Sequence, residues 1–361
     1  MGIPFDQKEL NATGIMHLKT ALLNQDVKIY NFPVTPREGF LGPYHNRPIW
    51  VNYLVESQFV TPSIIHDNVA RGAVSDAVLT NEEKGGPDMF GIEWEFVPAA
   101  GGSMVRPGKP LLSEVSEWRE KVKFPDIDTW DWEGASKRWQ EQHDPTKAQI
   151  CMFHNGFWFE RLISFMDFEN AAIAMISEDD REELHALFEA TTELGCKLVD
   201  KVCEYFQVDG FNVHDDWGSM RSSFFSPQVC AEMIVPHMRK FTDHVHAKGL
   251  IADFHSCGKI DNQVQNMVDA GWDSWTPMDI CDTAKIFEEY GDKLVLGVMP
   301  ERFDPRTTSE AEQREYARRF IDKYCLPNKS AKFSIYGMSM LTPAFLEELY
   351  VGSRKRFAQL Y

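Results

Sequence analysis

From about residue 47 onward, short β-like apolar runs alternate with longer amphipathic stretches, and this alternation restricts the fold more than any other feature. The runs are 48–55, 149–154, 210–216, 250–256, 273–277, 294–299 and 332–337, with one more strand expected between 70 and 96. In that last stretch ARGAVSDAVL and MFGIEWEFV compete. Near-continuous apolar strands separated by amphipathic helices predict a parallel sheet covered on both faces. About eight such units suit a closed (β/α)8 TIM-type barrel better than an open sheet. Such a barrel places its functional residues at the C-terminal ends of strands.

The helices carry their own signals. Ser177 precedes three acidic residues, as a capping residue would. Ser226-Pro227 and Thr342-Pro343 each put proline directly after a capping hydroxyl. Gly249 suits a C-terminal cap, and Pro236 should kink or split the helix before it. Residues 1–34 read as a helix-containing arm centred on LKTALLNQ, and 35–361 as the barrel. The arm either packs on a second subunit, making a homodimer, or caps the barrel bottom.

The 37 basic and 55 acidic residues give a net charge of −18, which argues against nucleic acid or an anionic membrane as partner. The seven cysteines are scattered and odd in number, unlike a secreted disulfide framework. With no signal peptide and no membrane-length apolar run, the expected location is the cytoplasm. No G-x-G-x-x-G follows a strand and no Walker motif is present, so nucleotide sites lose their usual support.

Three polar clusters fall at strand ends. His255-Ser256-Cys257-Gly258 closes the run LIADF. Residues two apart on a strand share a face, so His255 and Cys257 can both face the barrel mouth. Imidazole with thiolate suits zinc, although an isolated pair is more often a buried histidine beside an inert thiol. Cys281, just past the next strand, is a candidate third ligand or else an ordinary core thiol. Cys151, Cys196, Cys203, Cys230 and Cys325 read as packing residues.

His214-Asp215-Asp216-Trp217-Gly218 forms the second cluster. His214 and Asp216 should share one environment and Asp215 the other. A carboxylate here can orient a metal-bound histidine, hold a substrate hydroxyl or act as a base; a plain surface turn is the alternative. In the third cluster Tyr336 can donate a hydrogen bond, and Met338 can line an apolar pocket. His154-Asn155-Gly156-Phe157-Trp158 closes a further strand and, with Trp217, supplies candidate substrate contacts; aromatic residues are also the commonest core fillers.

With these clusters placed, the chain resembles the uroporphyrinogen decarboxylase superfamily over roughly residues 35–357. It is most similar to the branch holding cobamide-dependent methyltransferases. The matching stretches occur in family order: Thr35-Pro36-Arg37-Glu38, Asp88 through Trp94, Phe124-Pro125-Asp126, Asp215 through Gly218, Ser226-Pro227, His255 through Gly258, Gly271-Trp272-Asp273 and Thr342-Pro343. The Arg-rich element of the porphyrinogen-decarboxylating enzymes has no counterpart, the corresponding region reading His45 through Val51.

The resemblance implies zinc on the H-x-C pair, with a later cysteine completing the thiolate set. Met338 stands where that cysteine would be. Cys281 or a carboxylate then supplies the missing ligand, or the metal site is altered or lost. The implied activity moves a methyl group between a small-molecule donor or acceptor and a cobamide carried by a separate corrinoid protein. The direction is O-demethylation or transfer to a thiol. The competing readings are a metal-free decarboxylase and a non-catalytic binding barrel.

Overall fold

In a computed structural model of the chain, residues 2–19, 24–67, 74–98 and 102–361 are described. The strands are β1 (Ala12–Lys19), β2 (Asn24–Tyr30), β3 (Ser57–Val60), β4 (Gly85–Pro87), β5 (Glu93–Val97), β6 (Gly102–Val105) and β7 (Ala148–Phe153). After these come β8 (Gly210–His214), β9 (Ile251–His255), β10 (Ser274–Trp275), β11 (Val295–Val298) and β12 (Ala331–Phe333). The principal helices are α1 (Phe159–Ala174), α2 (Arg181–Tyr205), α3 (Pro227–Met233), α4 (Val235–Ala247) and α5 (Val264–Asp269). The last three are α6 (Thr283–Tyr290), α7 (Glu310–Tyr324) and α8 (Pro343–Leu360). This is a mixed α/β fold of the TIM-barrel type: parallel strands, each followed by helix, with β7–β8–β9 and β10–β11–β12 each running in sequence order. Among the described residues no helix is long and apolar enough to cross a membrane.

The chain divides into two compact units. The first comprises Met1–Gln58, Asp144–Ala148 and Asp273–Tyr361, and the second Phe59–His143 and Gln149–Trp272. In the first unit the helix expected at LKTALLNQ is replaced by an antiparallel hairpin, with Leu18 opposite Gln25 and Lys19 opposite Asn24; residues 20–23 lie outside the described residues. The helix-forming letters are overridden by strand pairing and by burial of Val27 and Tyr30. Tyr30 stacks on Tyr350 of α8 at 4.5 Å.

The apolar run 48–55 is largely buried, Leu54 excepted, but forms no regular strand; the strand begins later, at Ser57. Its N–H groups go to side chains instead of a ladder. Val51 donates to Ser353 Oγ at 3.2 Å, and Tyr53 to the Glu56 carboxylate at 3.0 Å. One link to the parallel strands survives, from Phe333 N–H to Asn52 O at 3.0 Å. The run 332–337 is likewise strand only to Phe333, after which Ile335–Met340 turns as a 3-10 helix.

In the second unit the contested stretch forms a strand within MFGIEWEFV, but β5 pairs antiparallel with β4 and β6 in a separate three-stranded sheet and not with the parallel strands; residues 70–73 of the rival lie outside the described residues. The helix signals hold at Ser226, Thr342, Pro236 and Gly249, while Ser177 caps only the turn before its helix. Ser226 accepts from Val229 N–H with Pro227 at the first position of α3, and Thr342 does the same for Phe345 at the start of α8. The chain breaks between α3 and α4 at Ile234, next to Pro236, and Gly249 takes a φ of +74° beyond α4. Ser177 accepts Asp180 N–H in the turn ahead of α2, whose first residue is Arg181. His237 of α4 is buried, its Nε2 lying 2.9 Å from His185 Nδ1.

Candidate metal centre

Strand register builds the site. His214 and His255 are paired partners at the ends of β8 and β9, and His154 directly follows Phe153, which pairs with Val213. Two neighbouring strands therefore end in histidine, and a third is followed directly by one. The His214 ring lies 4.6 Å from His255 and 5.1 Å from His154, centre to centre. Burial and the neighbouring imidazoles hold His214 well below the usual histidine range, and His154 falls to about 4, first from burial and then from His255.

Beyond β9 the chain reverses at Gly258, where φ is +102°. A Cβ there would come within 2.3 Å of the Gly218 carbonyl carbon, so only glycine allows the β8 and β9 loops to close together. That approach brings Cys257 N–H to Asp216 Oδ1 at 2.7 Å, and Ser256 Oγ accepts the Trp217 N–H at 3.0 Å.

Donor atoms of Asp216, His255 and Cys257 all lie within 4.8 Å of one another, and all three residues are half-buried. His255 Nε2 is 3.4 Å from Cys257 Sγ. A tetrahedral zinc about 2.0–2.1 Å from nitrogen and 2.3 Å from sulfur would space that pair at roughly 3.5 Å. The set therefore fits zinc in both donor chemistry and spacing. Burial, and then the Asp216 and Glu160 carboxylates, push the Cys257 thiol upward, the direction a bound cation would reverse.

Asp215 has a different place. It is fully buried and accepts from Phe159 N–H at 3.2 Å, Glu160 N–H at 2.9 Å and the Trp217 indole at 2.8 Å. Burial raises it to about 7 against these hydrogen bonds. Asp215 thus ties the start of α1 to the β8 loop, while Asp216 faces Cys257, the alternation expected from the strand. Gly156 permits this closeness, since a Cβ there would sit 2.3 Å from His214 O.

Trp158 and Trp217 are fully buried, with their indole N–H groups taken by Thr192 and Asp215, so they support the site from behind. His154 and Asn155 lie at the end of β7, and Asn155 N–H donates to buried Asp67 at 2.6 Å. Cys281, Tyr336 and Met338 belong to the other unit. Cys281 is buried in the turn before α6, and Tyr336 and Met338 sit half-buried in the 3-10 turn after β12.

Sequence reasoning missed Glu160. Burial raises its carboxyl well above the usual range, with Asp216, Asp215 and Asp67 adding to the effect and Arg161 opposing it. It follows Phe-Trp-Phe, a context that reads as core; the only signal in the sequence is an acid six residues past a strand end. Asp88, part of the family-like stretch, is structural. It accepts from Phe90 and Ile92 N–H and pairs with buried Arg161 at 2.5 Å.

No protein-family model and no curated protein matches the chain. Among solved structures, one similar to it is "a B12-independent methionine synthase from Shewanella sp. W3-18-1 in complex with Selenomethionine". The TM-score is 0.36 and the identity 9%, over 63% of this chain and 64% of that one. The chain thus spans under two thirds of that protein, and a likeness at this score carries no functional weight.

Proposed function

We propose that the chain is a zinc-dependent methyltransferase, acting between a small-molecule methyl donor or acceptor and a separate corrinoid protein. One observation carries the metal part: a nitrogen, a sulfur and a carboxylate oxygen gathered within 4.8 Å at the ends of β8 and β9. The corrinoid part rests on the resemblance of the ordered motifs alone.

His255, Cys257 and Asp216 would hold the ion, and Cys281 is the candidate for a further position on sequence grounds. Zinc bound there would supply Lewis acidity, activating a thiol as thiolate or polarising the oxygen of a methyl ether. The chain's own groups do the rest. Asp216 fixes the Cys257 main chain, so the thiol and the His255 imidazole are held in one geometry. Asp215 is a positioning residue that locks the α1 start and Trp217 around the loop. His214, packed against His255, would exchange a hydrogen bond with substrate. Roles for Tyr336 as a donor and Met338 as pocket lining are proposed on the resemblance.

Metal analysis with an anaerobic methyl-transfer assay tests this. The expected result is stoichiometric zinc and transfer from a methylated donor to a free cobamide or a corrinoid protein, both lost in Cys257→Ser. Metal-free protein that turns over a porphyrinogen would replace the reading with a carboxy-lyase.

A further inference from the structure

α1 is not one continuous helix. Met166 (φ −137°) and Asp167 (φ +62°, ψ 165°) leave helical geometry in its middle, and Asp167 holds a backbone region that only glycine adopts easily. At the break the Phe165 carbonyl accepts Leu112 N–H, from outside the helix, at 2.9 Å. Successive residues of an intact helix point about 100° apart, so Asp167, Phe168 and Glu169 would fan away from one another. With the break, all three line a single cavity of about 640 Å³, together with Ile163 and, from β5 and β6, Glu95, Val97 and Met104. Every residue of that lining belongs to the second unit.

The walls are apolar and the charges are of one sign. Phe168 is 46% exposed and Met104 57% exposed, although both are large and apolar. Phe168 is nevertheless held in place, in T-shaped contact with Phe224 at 4.8 Å and with Phe159 at 6.3 Å. Mostly apolar cavities of roughly 300–1,000 Å³ are typical of small-molecule sites. The charged groups of the lining are all carboxylates, those of Glu95, Asp167 and Glu169, and no Lys, Arg or His is among them. Arg106 pairs with Glu95 at 3.6 Å, whereas neither Asp167 nor Glu169 has an ion-pair partner among the described residues. An ammonium group suits such a set, through Coulomb attraction to the carboxylates and cation–π contact with Phe168. An anionic ligand would meet three like charges, and a neutral one would gain the apolar contact alone.

We propose that this cavity is a binding site for an organic cation, an ammonium group carried on an aromatic or aliphatic body. The apolar part fills the space lined by Val97, Met104, Ile163 and Phe168, and the ammonium lies against Asp167. The site uses none of Asp216, His255 and Cys257, so it stands or falls separately from the metal centre and from the methyl-transfer reading.

The test is calorimetric titration of the full chain with phenylbutylamine, phenylbutanol and phenylbutanoate, which share a ring and an alkyl chain and differ in charge. The amine should bind at least about tenfold more tightly than the alcohol or the carboxylate, equally with zinc added or chelated, and more weakly as salt is raised. Asp167→Gly allows the same backbone conformation but removes the carboxylate, and should weaken amine binding about tenfold. Met104→Arg, at an exposed position of the wall, should abolish it. Equal or tighter binding of the alcohol or the carboxylate overturns the proposal. So does undiminished amine binding by either variant in folded form, or binding that requires zinc, which would put the amine at the metal centre. Absence of amine binding to wild type overturns it as well, and sedimentation equilibrium then separates a cavity covered by a second copy of the chain from one filled by water.

Discussion

Cys257 donates its backbone N–H to Asp216 Oδ1 at 2.7 Å, joining the loops that follow two neighbouring parallel strands. The hydrogen bond sets a carboxylate beside a thiol that already lies 3.4 Å from an imidazole nitrogen. Mutual attraction between these side chains does not explain the grouping, since the carboxylate raises the thiol's affinity for its proton. A divalent cation held there, as proposed, would offset that effect.

The two cysteines proposed as ligands can be told apart. With Asp216, His255 and Cys257 as the core of the centre, Cys281→Ser should retain at least about half the zinc of wild type, measured by metal analysis after dialysis. Loss comparable to that in Cys257→Ser would make Cys281 a ligand as well.

Gly258 should tolerate no side chain. In Gly258→Ala the Cβ meets Gly218 backbone at a positive φ, with strain on the order of 1–3 kcal/mol, and the loop carrying Cys257 must move. Urea unfolding should show that loss together with weakened zinc binding. Unchanged stability and unchanged metal would mean that the loops do not close through Gly258.

Glu56 makes part of the stability pH-dependent. Burial raises its carboxyl to about 7 despite hydrogen bonds from the Trp50 indole and Tyr53 N–H. Its folded-state value lies above the unfolded one, so its contribution is full below about pH 4.5 and is lost as pH rises through 7. Glu56→Gln should therefore gain relative to wild type between pH 5 and pH 7.5, by on the order of 1–3 kcal/mol in urea melts. A difference independent of pH would remove Glu56 as the titrating group.

Arg354 and Glu9 form a buried two-point ion pair, each contact 2.8 Å, with Tyr350 OH donating to the same carboxylate at 2.7 Å. Arg354→Ala leaves Glu9 buried and uncompensated, so unfolding should be about 3–5 kcal/mol easier. A loss under about 1 kcal/mol would show that water reaches Glu9 freely.

The parallel strands, the capped helices and the strand-end pair His255 and Cys257 were legible in the sequence, because period, caps and strand termini are local properties. Asp216 was legible as a site residue through alternation along β8, though not specifically as Cys257's partner, which depends on the loop closure at Gly258. The pairing of β1 with β2 was not, since LKTALLNQ favours helix and strand pairing with burial of Val27 and Tyr30 overrides it. Nor was the loss of regular strand at 48–55, where Glu56 and Ser353 take backbone donors from positions near and far in the chain. Glu160 escaped notice because its aromatic neighbours mark it as core.

Zinc stoichiometry with X-ray absorption at the zinc edge tests the central claim most directly. One zinc per chain with sulfur and nitrogen or oxygen neighbours, abolished in Cys257→Ser and reduced in Asp216→Asn, is the result that the geometry predicts. Protein purified without chelator that holds no metal and takes up none when zinc is supplied would contradict it.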